Sequence, residues 1–254
     1  MKKHLILLTL VALICACTDW TGSNDKKADL AWGKASLLIE KPIADGDSLC
    51  YHIAINLDTL SGESELAKAV AKVLRDSVVF VGNFPTVQQT MTAYAEQMET
   101  EWKTELAEMY SEEMEYKDAL QYTYEIEGSP IDNGNDSILT YQTTTDCYLG
   151  GAHGSYVVFY YNFCLKTGKL LNIHDVIPAD KQAQVLKDME KQLCKDWDAK
   201  DLAELQENTG ITMLGDLYLT NNFLLKKDSI LFLFNQYDIA PYAAGLISVT
   251  VKRP

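Results

Sequence analysis

The spacing of apolar and polar residues changes period several times along the chain, and each change marks an element. Residues 35–40 and 49–57 place apolar side chains at two-residue intervals, the period of a strand. Between them Ala44-Asp45-Gly46-Asp47 supplies an Asp-Gly turn, so the two runs predict a hairpin. From Ser61 to Val78 the period becomes helical, with Leu66, Val70, Leu74 and Val78 stacked on one face. A longer helix follows. Thr86 and Gln89 have capping-box spacing, in which each side chain satisfies the other's free backbone N–H. Met91, Tyr94, Met98, Trp102, Leu106, Tyr110 and Met114 then recur at steps of three and four, opposite Glu96, Glu99, Lys103, Glu108 and Glu112. The stripe predicts about seven turns, on the order of 40 Å, with the apolar face turned to a core.

Near Ala119 the period returns to two. Tyr122, Tyr124 and Ile126 alternate with Thr123, Glu125 and Glu127, and a turn cluster covers Ser129 to Asp136. Strand patterns resume over Ile138 to Leu149 and Tyr156 to Leu165, and Thr167-Gly168 turns the chain into Leu170 to Ile173. These pieces predict an antiparallel meander. Asp180 is the expected N-cap of a helix that buries Leu186, Met189, Leu193 and Trp197, and a shorter helix covers Asp201 to Glu207. Leu217 to Leu225, Ser229 to Gln236 and Leu246 to Val251 predict three closing strands. Helices in blocks between blocks of hairpins indicate an α+β fold. The expected form is mainly antiparallel sheets, with the long amphipathic helix and further helices packed on one face. Two lobes are expected, over residues 31–145 and 146–254.

The first residues have another character. Lys2 and Lys3 precede an apolar run from Leu5 to Ala16, the pattern of a secretory signal, and the run is too short to span a bilayer. Ile14-Cys15-Ala16-Cys17 resembles a lipobox, which makes residues 1–16 a signal peptide and Cys17 the lipidated residue. Residues 17–30, rich in small polar side chains, then act as a flexible tether. The expected location is the cell envelope, with the membrane held through the N-terminal lipid.

Net charge is −14, and removal of residues 1–16 takes two lysines and no acid, giving −16. Such a surface repels nucleic acid. It serves solubility, and it attracts a cationic partner. Cys50, Cys147, Cys164 and Cys194 remain beyond the anchor. In an exported protein they can form two disulfides, Cys147 facing Cys164 for instance, or fill cores as thiols. Their spacing matches no zinc motif, so neither a metal nor another cofactor is expected.

Two segments stand out as candidate binding surface. Tyr148-Leu149-Gly150-Gly151-Ala152-His153-Gly154 sets three glycines around a histidine between two strands, which lets a ligand approach closely. Read purely as structure, it is a turn with a hydrogen-bonded histidine. Tyr237-Asp238-Ile239-Ala240-Pro241-Tyr242 offers two amphipathic rings on a loop stiffened by Pro241. No nucleophile elbow or HExxH motif occurs, and the 36 acids offer no obvious pair, so no catalytic residue is assigned.

Gly150-Gly151-Ala152-His153, Tyr161-Asn162 with Thr167-Gly168-Lys169, a following amphipathic helix, and Tyr237 to Gly245 occur in an order that resembles the RsiV-like domain family of unknown function. The likeness runs from about Asp146 to Val251. Trp32 to Thr145 is similar to the companion domain that precedes it in envelope proteins of the RsiV and PdaC deacetylase type. The resemblance implies a two-part surface ectodomain, with lysozyme as the RsiV-type ligand. Deacetylase activity resides in a separate catalytic domain and is not implied. The expectation is a non-enzymatic lipoprotein that binds a cationic protein such as lysozyme, or a peptidoglycan component. The rivals are an envelope glycan or peptidoglycan hydrolase using His153, and a subunit of a surface complex. A lipid anchor is expected to hold such a domain without passing a signal inward. Cys17→Ser should abolish incorporation of labelled fatty acid and shift the protein out of the membrane fraction, whereas persistent labelling would refute the anchor.

Overall fold

Along β2 (Cys50–Leu60) burial alternates, with Tyr51, Ile53, Ile55 and Leu57 turned inward. In the computed structural model, which describes residues 27–42, 50–109, 121–209 and 217–254, this strand pairs antiparallel with β1 (Trp32–Pro42) along its whole length. The Asp-Gly turn between them lies outside the described residues, as do Cys17, Tyr110 and Met114. Ser64 caps α1 (Glu65–Val73) by accepting the Ala67 N–H at 3.1 Å, and the helix runs into a π-helical turn at Leu74–Val78. α2 (Val87–Met109) starts with half of the expected capping box. The Thr86 hydroxyl accepts the Gln89 N–H at 3.2 Å, but Gln89 Oε1 accepts from that hydroxyl and not from a backbone N–H. Met91, Trp102 and Leu106 are buried, flanked by partly buried Tyr94 and Met98. The predicted stripe is core.

The sheet departs from a meander at β3 (Thr123–Ile131), which joins β2 in parallel. A parallel pair needs a long crossover, and α1 and α2 supply it. β3 also runs through the expected turn at Ser129. Pro130 pairs with Tyr141 beyond Gly128, where the register with β2 ends, so its missing N–H faces no strand. β4 (Ile138–Tyr148), β5 (Ser155–Cys164) and β6 (Leu170–Leu171) follow antiparallel, giving the order β1-β2-β3-β4-β5-β6.

Ile173, expected at the end of a strand, is helical instead. Asn172 accepts the N–H groups of His174 and Asp175, the Asp175 carboxylate accepts that of Asn172, and this capping box starts α3 (Ile173–Val176). α4 (Ala179–Asp196) has Pro178 at its cap, two residues earlier than predicted, which places Asp180 inside the first turn. There the carboxylate still meets the positive end of the helix dipole. After α5 (Leu202–Thr209), a second sheet contains β7 (Phe223–Leu225), β8 (Ser229–Phe234) and β9 (Ile247–Lys252), all antiparallel. Residues 217–222, expected as strand, stay outside it; the Asn222 side chain bonds β5 and the Asn221 side chain accepts the Ile173 N–H. The fold is the expected α+β arrangement, and no described helix is long and apolar enough to cross a membrane.

Cys147 pairs with Ser155 and Cys164 with Ile138, at opposite ends of one hairpin. At about 3.4 Å per residue they stand roughly 30 Å apart, so they cannot bond each other. None of the four described cysteines is in a disulfide.

Two hydrophobic cores result. One lies between the large sheet and α1–α2; the other joins α3, α4 and α5 to the small sheet. Position 145/146 falls within β4, and the cores divide at Ile138, which faces the second, and Leu139, which faces the first. Amide side chains stitch the cores together along the outer edge of β5. Asn235 Oδ1 accepts the Val158 N–H at 2.8 Å, and Asn222 Oδ1 accepts that of Tyr160 at 3.0 Å. The Val158 carbonyl receives both amides, from Asn222 at 2.7 Å and Asn235 at 3.1 Å. Asn162 reaches the other way, donating to the Phe223 carbonyl at 2.6 Å and accepting the Leu225 N–H at 3.2 Å. The buried side chains of Asn222 and Asn235 thus act as a strand and cover an edge that would otherwise be open, while Asn162 ties β5 to β7.

Asn222→Ala leaves the partly buried Tyr160 N–H without its partner and should lower unfolding free energy by roughly 1–3 kcal/mol in urea titration. A loss within the error of the titration would show that water replaces the amide.

α2 is fastened to β1 and β2 through Glu99, which accepts from Lys103 at 2.7 Å, Lys41 at 2.5 Å and the Tyr51 hydroxyl at 3.0 Å. The bonds from Lys103 and then Lys41 outweigh burial and bring its carboxyl down to about 2 from 4.5. A lowered acid stabilises the fold above its unfolded value, and that contribution is lost as pH falls toward the folded one. Glu99→Gln should therefore be less stable than the parent at neutral pH, with the difference shrinking between pH 4.5 and 2. A pH-independent difference in chemical unfolding would contradict this.

Candidate functional site

The glycine loop joins β4 to β5. Gly150 and Gly151 have φ of 80° and 86°, a region that side chains disfavour, and they fold the chain back over Tyr148. The Tyr148 hydroxyl donates to the Gly151 carbonyl at 3.0 Å, bracing the turn. A Cβ on Gly154 would stand 2.8 Å from the Cys147 carbonyl oxygen, so only glycine closes the hairpin without displacing backbone.

The second segment leaves β8 at Asn235. Its N–H donates to Asp238 Oδ2 at 2.7 Å, the Asp238 N–H returns to the Asn235 carbonyl at 3.0 Å, and the Tyr237 N–H donates to the Ala240 carbonyl at 3.1 Å. This knot holds Tyr237 at a φ of 69°, a backbone cost of about 1–2 kcal/mol for a residue with a Cβ. Ile239 and Ala240 anchor it in the second core, and Pro241 leads into a short 3-10 turn at Tyr242–Ala244.

The two segments, distant in sequence, meet. His153 lies flat on Tyr242, ring centroids 3.6 Å apart and planes 18° from parallel, and the Tyr237 ring stands 6.0 Å from that of Tyr242, tilted by 38°. Tyr237 is 58% exposed. The tie is the β5 seam, where Asn235 and Gln236 bond the Val158 and Tyr156 amides at the root of the glycine loop. All six residues singled out from the sequence, Tyr148, Gly150, Gly151, His153, Tyr237 and Tyr242, belong to these two adjoining loops.

His153 Nδ1 lies 2.9 Å from the Gly154 carbonyl oxygen. A carbonyl only accepts, so Nδ1 carries the proton and Nε2 is left to a ligand. Among the described residues that is the ring's one hydrogen bond, and no carboxylate orients it. Such a group can stack and hydrogen-bond, but it lacks the partner that general-base chemistry uses to fix a tautomer. Among the described residues, no three His, Cys, Asp or Glu side chains converge on a metal position. His52 stands on the open face of the large sheet, 3.8 Å from Glu40 and 3.5 Å from Glu125.

Sequence reasoning missed Asn222 and the neighbouring Tyr218. The polar cluster Thr220-Asn221-Asn222, directly before an apolar strand, was the available signal.

Residues 174–253 match the family model described as Protein of unknown function (DUF3298). The match spans α4, α5 and the small sheet, the elements of the second core. The fold resembles a crystal structure of a DUF3298 family member from Bacteroides fragilis at 25% identity, covering 88% of this chain and 90% of that one, with a TM-score of 0.73. It also resembles a DUF3298 family protein from Pseudomonas aeruginosa PAO1 at 17% identity, covering 89% and 90%, with a TM-score of 0.62. No curated protein matches.

Tyr237→Gly removes the ring and the backbone cost together. Unfolding free energy should stay level or rise by about 1 kcal/mol. A clear loss in thermal unfolding would mean that the ring is structural and not held out for contact.

Proposed function

We propose that the chain is a non-enzymatic binding module of the cell envelope, lipid-anchored at Cys17, whose His153–Tyr242–Tyr237 surface takes a cationic protein of the lysozyme type. The observation that carries this reading is the strained, exposed Tyr237 beside the stacked pair of His153 and Tyr242. Backbone strain that keeps an aromatic ring in solvent does nothing for the fold and suits a contact surface.

Charge supports the cationic partner. The uncovered face of the large sheet carries Glu40, Glu125, Glu127 and Asp146, and the chain as a whole is strongly acidic. Acidic flanks around an aromatic centre raise the rate of encounter with a basic protein, and the aromatic contacts then set its lifetime. The resemblance to RsiV-like domains points the same way. A hydrolase using His153 is less well supported, because the ring bonds a carbonyl where catalysis calls for a carboxylate.

The full-length protein should bind hen lysozyme saturably at low salt, with the association rate falling as salt rises. His153→Ala or Tyr242→Ala should weaken the complex at least about tenfold, mostly through faster dissociation. Absence of a complex at low and moderate salt alike would remove lysozyme as the ligand.

A further inference from the structure

β6 flanks β5 only at Asn162 and Phe163, while Asn222 covers β5 at Val158 and Tyr160. Between these two covers a cleft of about 550 Å³ opens, bordered by Phe159, Leu170, Tyr218, Thr220, Asn221 and Asp238. That volume lies in the range of small-ligand sites. Phe159 is 43% exposed and Tyr218 44% exposed. Tyr218 is nevertheless held, because its ring stands edge-on to Phe234 with centroids 5.4 Å apart and planes at 81°.

We infer that this cleft binds a segment of neutral glycan, with sugar rings lying on Tyr218 and Phe159 and hydroxyls pairing with Asn221 and Asp238. The apolar face of a pyranose ring suits a fixed aromatic wall, and its hydroxyls need donors and acceptors side by side. Both are at hand. Asn221 Oδ1 is engaged by the Ile173 N–H at 2.9 Å, which leaves its amide hydrogens to a ligand. Asp238 Oδ2 is engaged by the Asn235 N–H at 2.7 Å, which leaves Oδ1. Burial, and then the Asp238 carboxylate, raise the Tyr218 phenol, so it remains a neutral hydroxyl.

Other occupants fit less well. No lysine or arginine lines the cleft, and Asp238 repels an anion. A peptide adding to β5 as a strand would need the Val158 and Tyr160 backbone groups, which Asn222 and Asn235 already hold. The cleft shares none of its lining with the His153–Tyr242 pair, so the inference does not rest on the lysozyme reading.

The test is calorimetric titration of the full-length protein with chitohexaose, cellohexaose and maltohexaose, and with hexagalacturonate as the acidic counterpart. At least one neutral hexasaccharide should bind saturably and the acidic one should not. Tyr218→Ala removes the wall. Asn221→Asp keeps the acceptor for Ile173 while removing the donor, so it stands as the variant that preserves the fold. Each should weaken binding at least about tenfold, and His153→Ala should leave it unchanged. The inference is overturned if no neutral hexasaccharide binds, if hexagalacturonate binds as well as they do, or if folded Asn221→Asp binds like the parent. Loss of lysozyme binding in His153→Ala with glycan binding intact would separate the two sites.

Discussion

A strand with a bare edge cannot lie inside a protein, and the outer edge of β5 lies between the two cores. Asn222 and Asn235 solve this by presenting amide groups where a neighbouring strand would present peptide groups. A side-chain amide has the same donor and acceptor as the backbone, so two side chains replace several residues of β-ladder. Most other features follow from that substitution. It fixes the small sheet against the large one, and it brings the loop after Asn235 to the loop before Ser155. It also stops short of β6, leaving the Tyr218 cleft open.

The seam explains why the contact surface is rigid. Stacking of His153 on Tyr242 requires two hairpin ends to be registered within a fraction of an ångström. The knot from Asn235 to Ala240 is tied to β5 by the same Asn235 that starts it. The cost of Tyr237 at positive φ is met by the buried Ile239 and Ala240 that follow it. A surface prepared this way loses little freedom when a partner arrives, which favours affinity.

Strong local periodicity was legible in the sequence. β2 alternates from Cys50 to Asp58, α2 keeps its stripe from Met91 to Leu106, and both stand as expected. Pairing was less legible, since a period of two says which face is buried but not which strand lies alongside. The parallel join of β2 to β3 shows this. Polar residues misled most. Asn172 looked like strand and starts a helix, and residues 217–222 looked like strand and instead deliver Asn222 to β5. The candidate loops were each visible as glycine and tyrosine clusters. Their meeting was not, because it depends on bonds between residues 77 and 80 positions apart.

Amide hydrogen exchange, read residue by residue on the parent and on Asn235→Ala, tests the seam most directly. Val158 and Tyr160 have no strand on their outer side, yet the account predicts slow exchange of both amides in the parent. In the variant the Val158 amide should exchange faster, and protection in residues 149–154 should fall with it. Exchange of Val158 in the parent at the rate of an uncovered edge, or an unchanged glycine loop in the variant, would contradict the seam as the element that holds the site together.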